Sequence, residues 1–143
     1  MDGKTSTEIR KQLEKFVEIL KRERLAVSSV VLFGSRSKNL QLKESDIDLL
    51  IILKETELSF HERFYKIHSL WNNIIQLDAL VFTEKEVLKL FNRGHIALFD
   101  ALENGLIIYD TGFFREMKEK FAIAKRDKRI YRSRRGWWSI REI

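Results

Sequence analysis

The chain has 143 residues and a mass of 17.1 kDa, with 44% hydrophobic and 34% charged residues. This composition predicts one folded domain and excludes a disordered chain, and the longest apolar run, Leu49–Leu53, is far too short to cross a membrane. The absence of cysteine excludes disulfides, thiolate metal sites and cysteine nucleophiles. Because the N-terminus lacks a basic-then-apolar signal pattern, we expect a cytoplasmic protein.

The net charge of +6 is concentrated at the C-terminal end. Residues 125–143 contain eight Lys or Arg against two acidic residues, whereas residues 1–124 contain equal numbers of basic and acidic groups. We therefore divide the chain into a domain over residues 1–124 and a basic C-terminal tail over residues 125–143. The tail also contains Tyr131, Trp137 and Trp138, which suit stacking on nucleic-acid bases, docking on a partner, or packing on the core or in an oligomer. We expect it to serve recognition and to be dispensable for the active site.

Apolar periodicity and capping signals predict alternating helices and strands. Thr5 and Glu8 have capping-box spacing, and helical periodicity follows to about residue 23. Val27–Phe33 and Ile47–Leu53 are apolar runs of the kind found in central strands. The remaining predicted elements are a helix from Phe60 to Ile74, a strand over 74–82, helices over 84–93 and 95–104, an edge strand over 106–109, and a helix from about Phe113. This order is typical of a compact α/β sandwich.

The segment between the first two predicted strands carries the chemistry. It reads Gly34-Ser35, ten residues, then Asp46-Ile47-Asp48. Two carboxylates two positions apart face the same side of a strand, and a hard divalent ion such as magnesium would relieve their repulsion. Gly34 allows close backbone approach, and Ser35 with exposed N–H groups can hold a phosphate. Taken alone, the two acids are also compatible with a turn acid followed by a capping acid.

This combination resembles the signature of the DNA polymerase beta-like nucleotidyltransferase superfamily, and in particular of its minimal nucleotidyltransferases. The family loop reads Gly-Ser-x-Ala-x-Gly, then five residues, then Ser-Asp-x-Asp-Leu. The matching residues here are Gly34, Ser35, Arg36, Ser45, Asp46, Asp48 and Leu49. Ser37 and Asn39 depart from the pattern, although Asn tolerates the positive φ of the glycine that it replaces. The resemblance covers about residues 10–112 and implies an α+β fold, a small mixed sheet flanked by helices.

The resemblance also implies an activity and a set of site residues. Such enzymes transfer a nucleoside monophosphate, here expected to be AMP from ATP, to an acceptor hydroxyl with two Mg²⁺ ions and release of pyrophosphate. The family's third carboxylate, on a later strand, is matched by Asp78. The implied catalytic residues and metal ligands are Asp46, Asp48 and Asp78, and the implied nucleotide-binding residues are Gly34, Ser35 and Arg36.

The motif by itself does not specify the acceptor. Many minimal nucleotidyltransferases pair with a small helical HEPN protein as antitoxin and toxin, and add AMP to a tyrosine of that partner. We therefore expect a HEPN partner. The alternatives are an enzyme acting on RNA, which the basic tail slightly favours, an enzyme acting on a small hydroxylated molecule, and a binding module without catalysis. The three intact acids argue against the last.

Overall fold

The computed structural model of the chain describes residues 3–34, 46–132 and 138–140, with side chains from residue 7 onward. The helices are α1 (Gly3–Arg22), α2 (Phe60–Leu70), α3 (Glu84–Arg93), α4 (Ile96–Asn104) and α5 (Phe113–Arg126). The strands are β1 (Val27–Phe33), β2 (Ile47–Leu53), β3 (Leu77–Thr83), β4 (Leu106–Asp110), β5 (Ile130–Arg132) and β6 (Trp138–Ile140). The sequence-based assignments to Ser35, Arg36, Ser45 and Trp137 lie outside the described residues.

Four strands form a mixed sheet in the order β3-β2-β1-β4. β1 runs antiparallel to β2 and β4, and β2 runs parallel to β3. β1 and β2 are buried along almost their whole length, which confirms them as the central strands. The register pairs Phe33 with Asp48 and Asp48 with Asp78. The C-terminal end of β1 and the N-terminal ends of β2 and β3 therefore meet at one end of the sheet.

Helices cover both faces of this sheet, and the sheet separates two hydrophobic cores. α1 and α2 pack on the face that carries Leu49 and Ile51 of β2. α3, α4 and α5 pack on the opposite face, which carries Leu50 and Ile52, and with it they form the second core. Because successive side chains of a strand face opposite sides, Asp48 belongs to the face with α3, α4 and α5. None of the helices described here is both long and apolar enough to cross a membrane.

Local capping residues fix where the helices begin and end. Ser59 and Glu62 form a capping box at the start of α2, with the Glu62 N–H donating to Ser59 Oγ at 3.2 Å and the Ser59 N–H donating to Glu62 Oε1 at 2.8 Å. Thr83 forms the same arrangement at the start of α3, and Gly94 ends that helix in a left-handed conformation. These signals were predicted correctly, whereas α1 begins before the Thr5 box.

α2 is shorter than its periodicity predicts. It ends at Leu70, so Trp71 and Ile74 are not helical, and β3 begins at Leu77. The Trp71 indole N–H donates to the carbonyl of Ile75 at 2.8 Å, and the Ile75 N–H donates to Asn73 Oδ1 at 3.0 Å. An asparagine that binds a backbone N–H two residues later stabilises a turn, and this turn replaces the last predicted turn of helix.

Part of the basic tail packs on the second core. α5 continues past the domain boundary that we placed at residue 124, and β5 pairs with β6 in a two-stranded antiparallel sheet. The ring of Trp138 lies 5.8 Å from that of Phe99 and 5.4 Å from that of Phe121. Its indole N–H donates to Asp100 Oδ1 at 2.9 Å. Trp138 therefore contributes to folding, and a recognition role for the tail stays a prediction.

Candidate active site

The two carboxylates on the strands are neighbours at one end of the sheet. Asp48 of β2 and Asp78 of β3 are partners in the parallel register, so their side chains point to the same face. Leu50 and Leu80 follow them on that face and reach the second core. Asp48 is half-buried and Asp78 is exposed. The pair thus lies at the margin of an apolar core and is open to solvent on the Asp78 side.

Asp46 adds a third negative charge to this place. It precedes β2 and is exposed. Burial raises the pKa of the Asp48 carboxyl, and the nearby charges of Asp78 and Asp46 raise this pKa further. The structure therefore brings together the three acids that the sequence singled out. The charges of Asp46 and Asp78 thus make ionisation of Asp48 less favourable.

A divalent cation fits the chemistry of these donors. Carboxylate oxygens are the ligands that Mg²⁺ prefers, and a cation between them would relieve their repulsion. Over the described ranges, no three His, Cys, Asp or Glu side chains are already gathered closely enough to enclose an ion. Mg²⁺ commonly binds through one or two carboxylates together with water and substrate phosphates, so a closed protein cage is not required.

Gly34 lies directly against Asp48. It follows the last residue of β1 and has φ 74°, a conformation that side chains of L-residues rarely adopt. A Cβ atom at this position would overlap Oδ2 of Asp48. The glycine therefore allows the backbone to turn close to the central carboxylate, in addition to the phosphate approach expected from the sequence. Sequence analysis did not find this contact, because the two residues are far apart along the chain.

Sequence analysis also missed the side chains that cover the outer edge of β3. His68 of α2 accepts a hydrogen bond at Nε2 from the N–H of Ala79, at 3.3 Å, next to Asp78. Arg63 donates to the carbonyl of Val81 at 3.4 Å. Unpaired backbone groups at a sheet edge need such partners, and α2 supplies them. The histidine has a structural role here that its spacing along the helix did not reveal.

A family model described as a nucleotidyltransferase domain matches residues 13–131. The chain belongs to this family, and the protein is a nucleotidyltransferase, as the motif predicted. A proposed protein adenylyltransferase of Methanocaldococcus jannaschii is 31% identical over 84 residues, which span 59% of this chain and 83% of that protein.

Solved structures share the fold. A proposed nucleotidyltransferase from Sulfolobus solfataricus superposes with a TM-score of 0.55 and 20% identity, covering 76% of this chain and 86% of its own. A toxin–antitoxin structure solved with AMP-PNP superposes with a TM-score of 0.50 and 19% identity, covering 80% of this chain and 85% of its own. At such identities the likeness establishes the α+β architecture, with the mixed sheet flanked by helices.

Proposed function

We propose that the protein is a magnesium-dependent adenylyltransferase that moves AMP from ATP to a hydroxyl group of a partner protein. The observation that carries this proposal is that Asp48 lies beside both Asp78 and the Gly34 turn, with Asp46 near enough for its charge to act on Asp48. A nucleotidyltransferase needs carboxylates and a phosphate-binding turn at one place. Carboxylates and the Gly34 turn lie here at the same end of the sheet, which supports the proposal.

The reaction is a displacement at the α-phosphorus of ATP. The acceptor oxygen forms a bond to that phosphorus while the bond to the bridging oxygen breaks, and pyrophosphate leaves. Bound Mg²⁺ would neutralise charge on the phosphates and make the acceptor hydroxyl more acidic. Asp46 and Asp48 would hold both ions. Asp78, the exposed carboxylate, would bind the ion beside the acceptor and take the proton of the acceptor hydroxyl. Gly34, Ser35 and Arg36 would bind the β- and γ-phosphates.

A protein acceptor is supported by the relatives and by the contacts of the tail. The Methanocaldococcus relative is a proposed protein adenylyltransferase, and one structure with this fold is a toxin–antitoxin pair. The described part of the tail offers RNA fewer cations than its composition suggests, because Lys125 Nζ binds Glu103 and Arg132 lies 5.2 Å above the ring of Trp138. Both cations have partners within the chain. We therefore infer a helical HEPN-type partner, with this protein acting as its antitoxin.

Transfer of a radioactive label tests the proposal. The protein is incubated with Mg²⁺, a HEPN-type partner and ATP labelled on either the α- or the γ-phosphate. We expect the α-label to become covalently attached to the partner and the γ-label to leave as pyrophosphate. The matched control is Asp78→Asn, which keeps the size of the side chain and removes its charge. Attachment of the γ-label, or of no label from any nucleoside triphosphate, would contradict the proposed reaction.

A further inference from the structure

Exposed aromatic side chains of α2 lie along the outer edge of β3, which this helix covers. Phe60 and Phe64 of α2 are 52% and 42% exposed. The ring of Phe64 lies on that of His68, with 3.9 Å between centroids, and the ring of Phe60 lies 6.5 Å from that of Phe82. We call Phe60, Phe64, His68 and Phe82 the edge-strand aromatic patch. Large aromatic side chains left in solvent beside one another mark a surface that can bind a partner.

The edge-strand aromatic patch leads to the third carboxylate. α2 runs antiparallel to β3, so Phe60 lies near Phe82 while His68 binds the N–H of Ala79, the residue after Asp78. Phe82 lies on the same face of β3 as Asp78, because the two are an even number of residues apart. A molecule bound to the patch is therefore next to the carboxylate that we assign to the acceptor side.

The charges around the patch select the kind of molecule that it binds. Besides its histidines, α2 has two basic residues, Arg63 and Lys66. Arg63 Nη1 binds Glu86 Oε1 at 2.7 Å, and Lys66 Nζ binds Glu23 Oε1 at 2.9 Å. Binding to nucleic acid requires cations that neutralise phosphates, and both of these cations are already paired. An aromatic surface on a described helix whose two Lys and Arg side chains are already paired suits the apolar core of a protein interface.

We propose that the edge-strand aromatic patch docks the acceptor protein, through an apolar surface that brings its hydroxyl group to Asp78. This inference rests on the proposed function and adds where the acceptor binds. A central aromatic residue of an interface commonly dominates affinity, and truncating it weakens binding by about 30-fold. We expect an effect of this order at Phe64, whose ring lies between solvent and His68.

Two substitutions at similarly exposed apolar residues test the patch. Phe64→Ser removes a ring from it, and Ile123→Ser alters a side chain of α5 that is 48% exposed and lines a separate groove of about 420 Å³ between α3 and α5. Phe64→Ser should raise the KM for the acceptor about 30-fold and leave the affinity for ATP with Mg²⁺ unchanged. Ile123→Ser should change neither. Phe60→Ser serves as a second patch variant if Phe64→Ser lowers the melting temperature.

The readouts separate this inference from the proposed function. Complex formation between the two proteins is measured by calorimetry without ATP, so it reports on docking even if no AMP is transferred. If Phe64→Ser and Phe60→Ser both bind the acceptor protein as tightly as wild type does, the patch is not the docking site. A loss of binding in Ile123→Ser alone would also overturn the proposal. Labelling of RNA instead of protein, unaffected by Phe64→Ser, would overturn it too. If the wild-type protein forms the complex but transfers no AMP, the proposed reaction is wrong. Binding by the patch variants then still tests the docking site.

Discussion

Replacing Gly34 by alanine tests whether the turn after β1 is shaped by Asp48. Gly34 has φ 74° and Gly94, at the end of α3, has φ 75°. A side chain in this left-handed region costs about 1–2 kcal/mol. Gly34→Ala and Gly94→Ala should therefore lose similar stability from backbone strain, equivalent to a fall in melting temperature of about 3–7 °C for a chain of this size.

The surroundings of the two glycines make their effects on activity different. The new Cβ of Gly34→Ala would overlap Asp48 Oδ2, whereas that of Gly94→Ala would meet Cγ2 of Ile140 at 3.2 Å. The carboxylate of Asp48 must move to admit the methyl group, and a displacement of about 1 Å near reacting groups can cost about 100-fold in rate. We expect this loss in Gly34→Ala, and a rate within about 3-fold of wild type in Gly94→Ala, whose new Cβ meets Ile140 and not a carboxylate.

The assay is the initial rate of AMP transfer from α-labelled ATP at saturating acceptor, with thermal melts of all three proteins in parallel. Similar melting temperatures for the two variants, with loss of activity in Gly34→Ala alone, would confirm the reasoning. Equal rates in both variants would refute it, because the position of Asp48 would then not depend on a glycine at this turn. If ATP binds Gly34→Ala less tightly in the absence of Mg²⁺, crowding of the phosphates is the better explanation.

Three further predictions follow from the described contacts. Asp48→Asn should lower the transfer rate at least about 100-fold, because metal binding contributes several kcal/mol to the transition state. The same variant should have a higher melting temperature, because burial and two nearby carboxylates raise the pKa of Asp48 and disfavour its charged form. A less stable variant would contradict the assignment. Trp138→Ala should cost about 2–3 kcal/mol in denaturant unfolding, since its half-buried ring contacts two phenylalanines of the second core; an unchanged midpoint would mean that the tail packs too loosely to matter. Burial would raise the pKa of Asp110, but hydrogen bonds from a serine hydroxyl and three backbone N–H groups outweigh it and lower this pKa. The stability that Asp110 contributes is therefore complete above about pH 4 and is lost as the pH falls further. Asp110→Asn should remove that part of the pH dependence in melts between pH 7 and pH 3.

The central strands and the helix starts were predictable because their causes are local. Strands buried on both faces require unbroken apolar runs, and Val27–Phe33 and Ile47–Leu53 have the bounds that their sequences indicated. The capping boxes at Ser59 and Thr83 satisfy backbone groups within one turn of helix. In each case the residues that decide the structure lie within a few positions of one another.

The geometry of the site was less predictable because it depends on pairing between distant segments. Flanking apolar residues placed Asp78 in a strand, but only the parallel register of β2 and β3 puts it beside Asp48. The overlap between a side chain at Gly34 and the Asp48 carboxylate depends on the antiparallel pairing of β1 and β2. Contacts of this kind depend on strand order and register, which the spacing of residues along the sequence does not predict.

The tail shows how composition alone can mislead about available charge. Its basic residues suggested a surface for nucleic acid, yet Lys125 binds Glu103 and Arg132 lies over Trp138. Trp138 itself reaches back to Asp100 of α4. Because such pairs join residues far apart in sequence, counting Lys and Arg overestimates the positive charge that a partner would meet.

Two carboxylates at opposite ends of the sheet show how the fold distinguishes a structural acid from a functional one. Asp110, at the end of β4, accepts hydrogen bonds from Ser29 Oγ at 2.8 Å and from the N–H of Gly112 at 3.0 Å, so its charge is stabilised within the protein. Asp48 is also partly buried, but among the described residues the charges that act on it are those of Asp46 and Asp78. A carboxylate desolvated beside other carboxylates is unfavourable in the fold by itself and becomes favourable when a cation binds. The difference between these two sites is therefore a physical reason, independent of the motif, to place a cation-dependent reaction at the Asp48 end of the sheet.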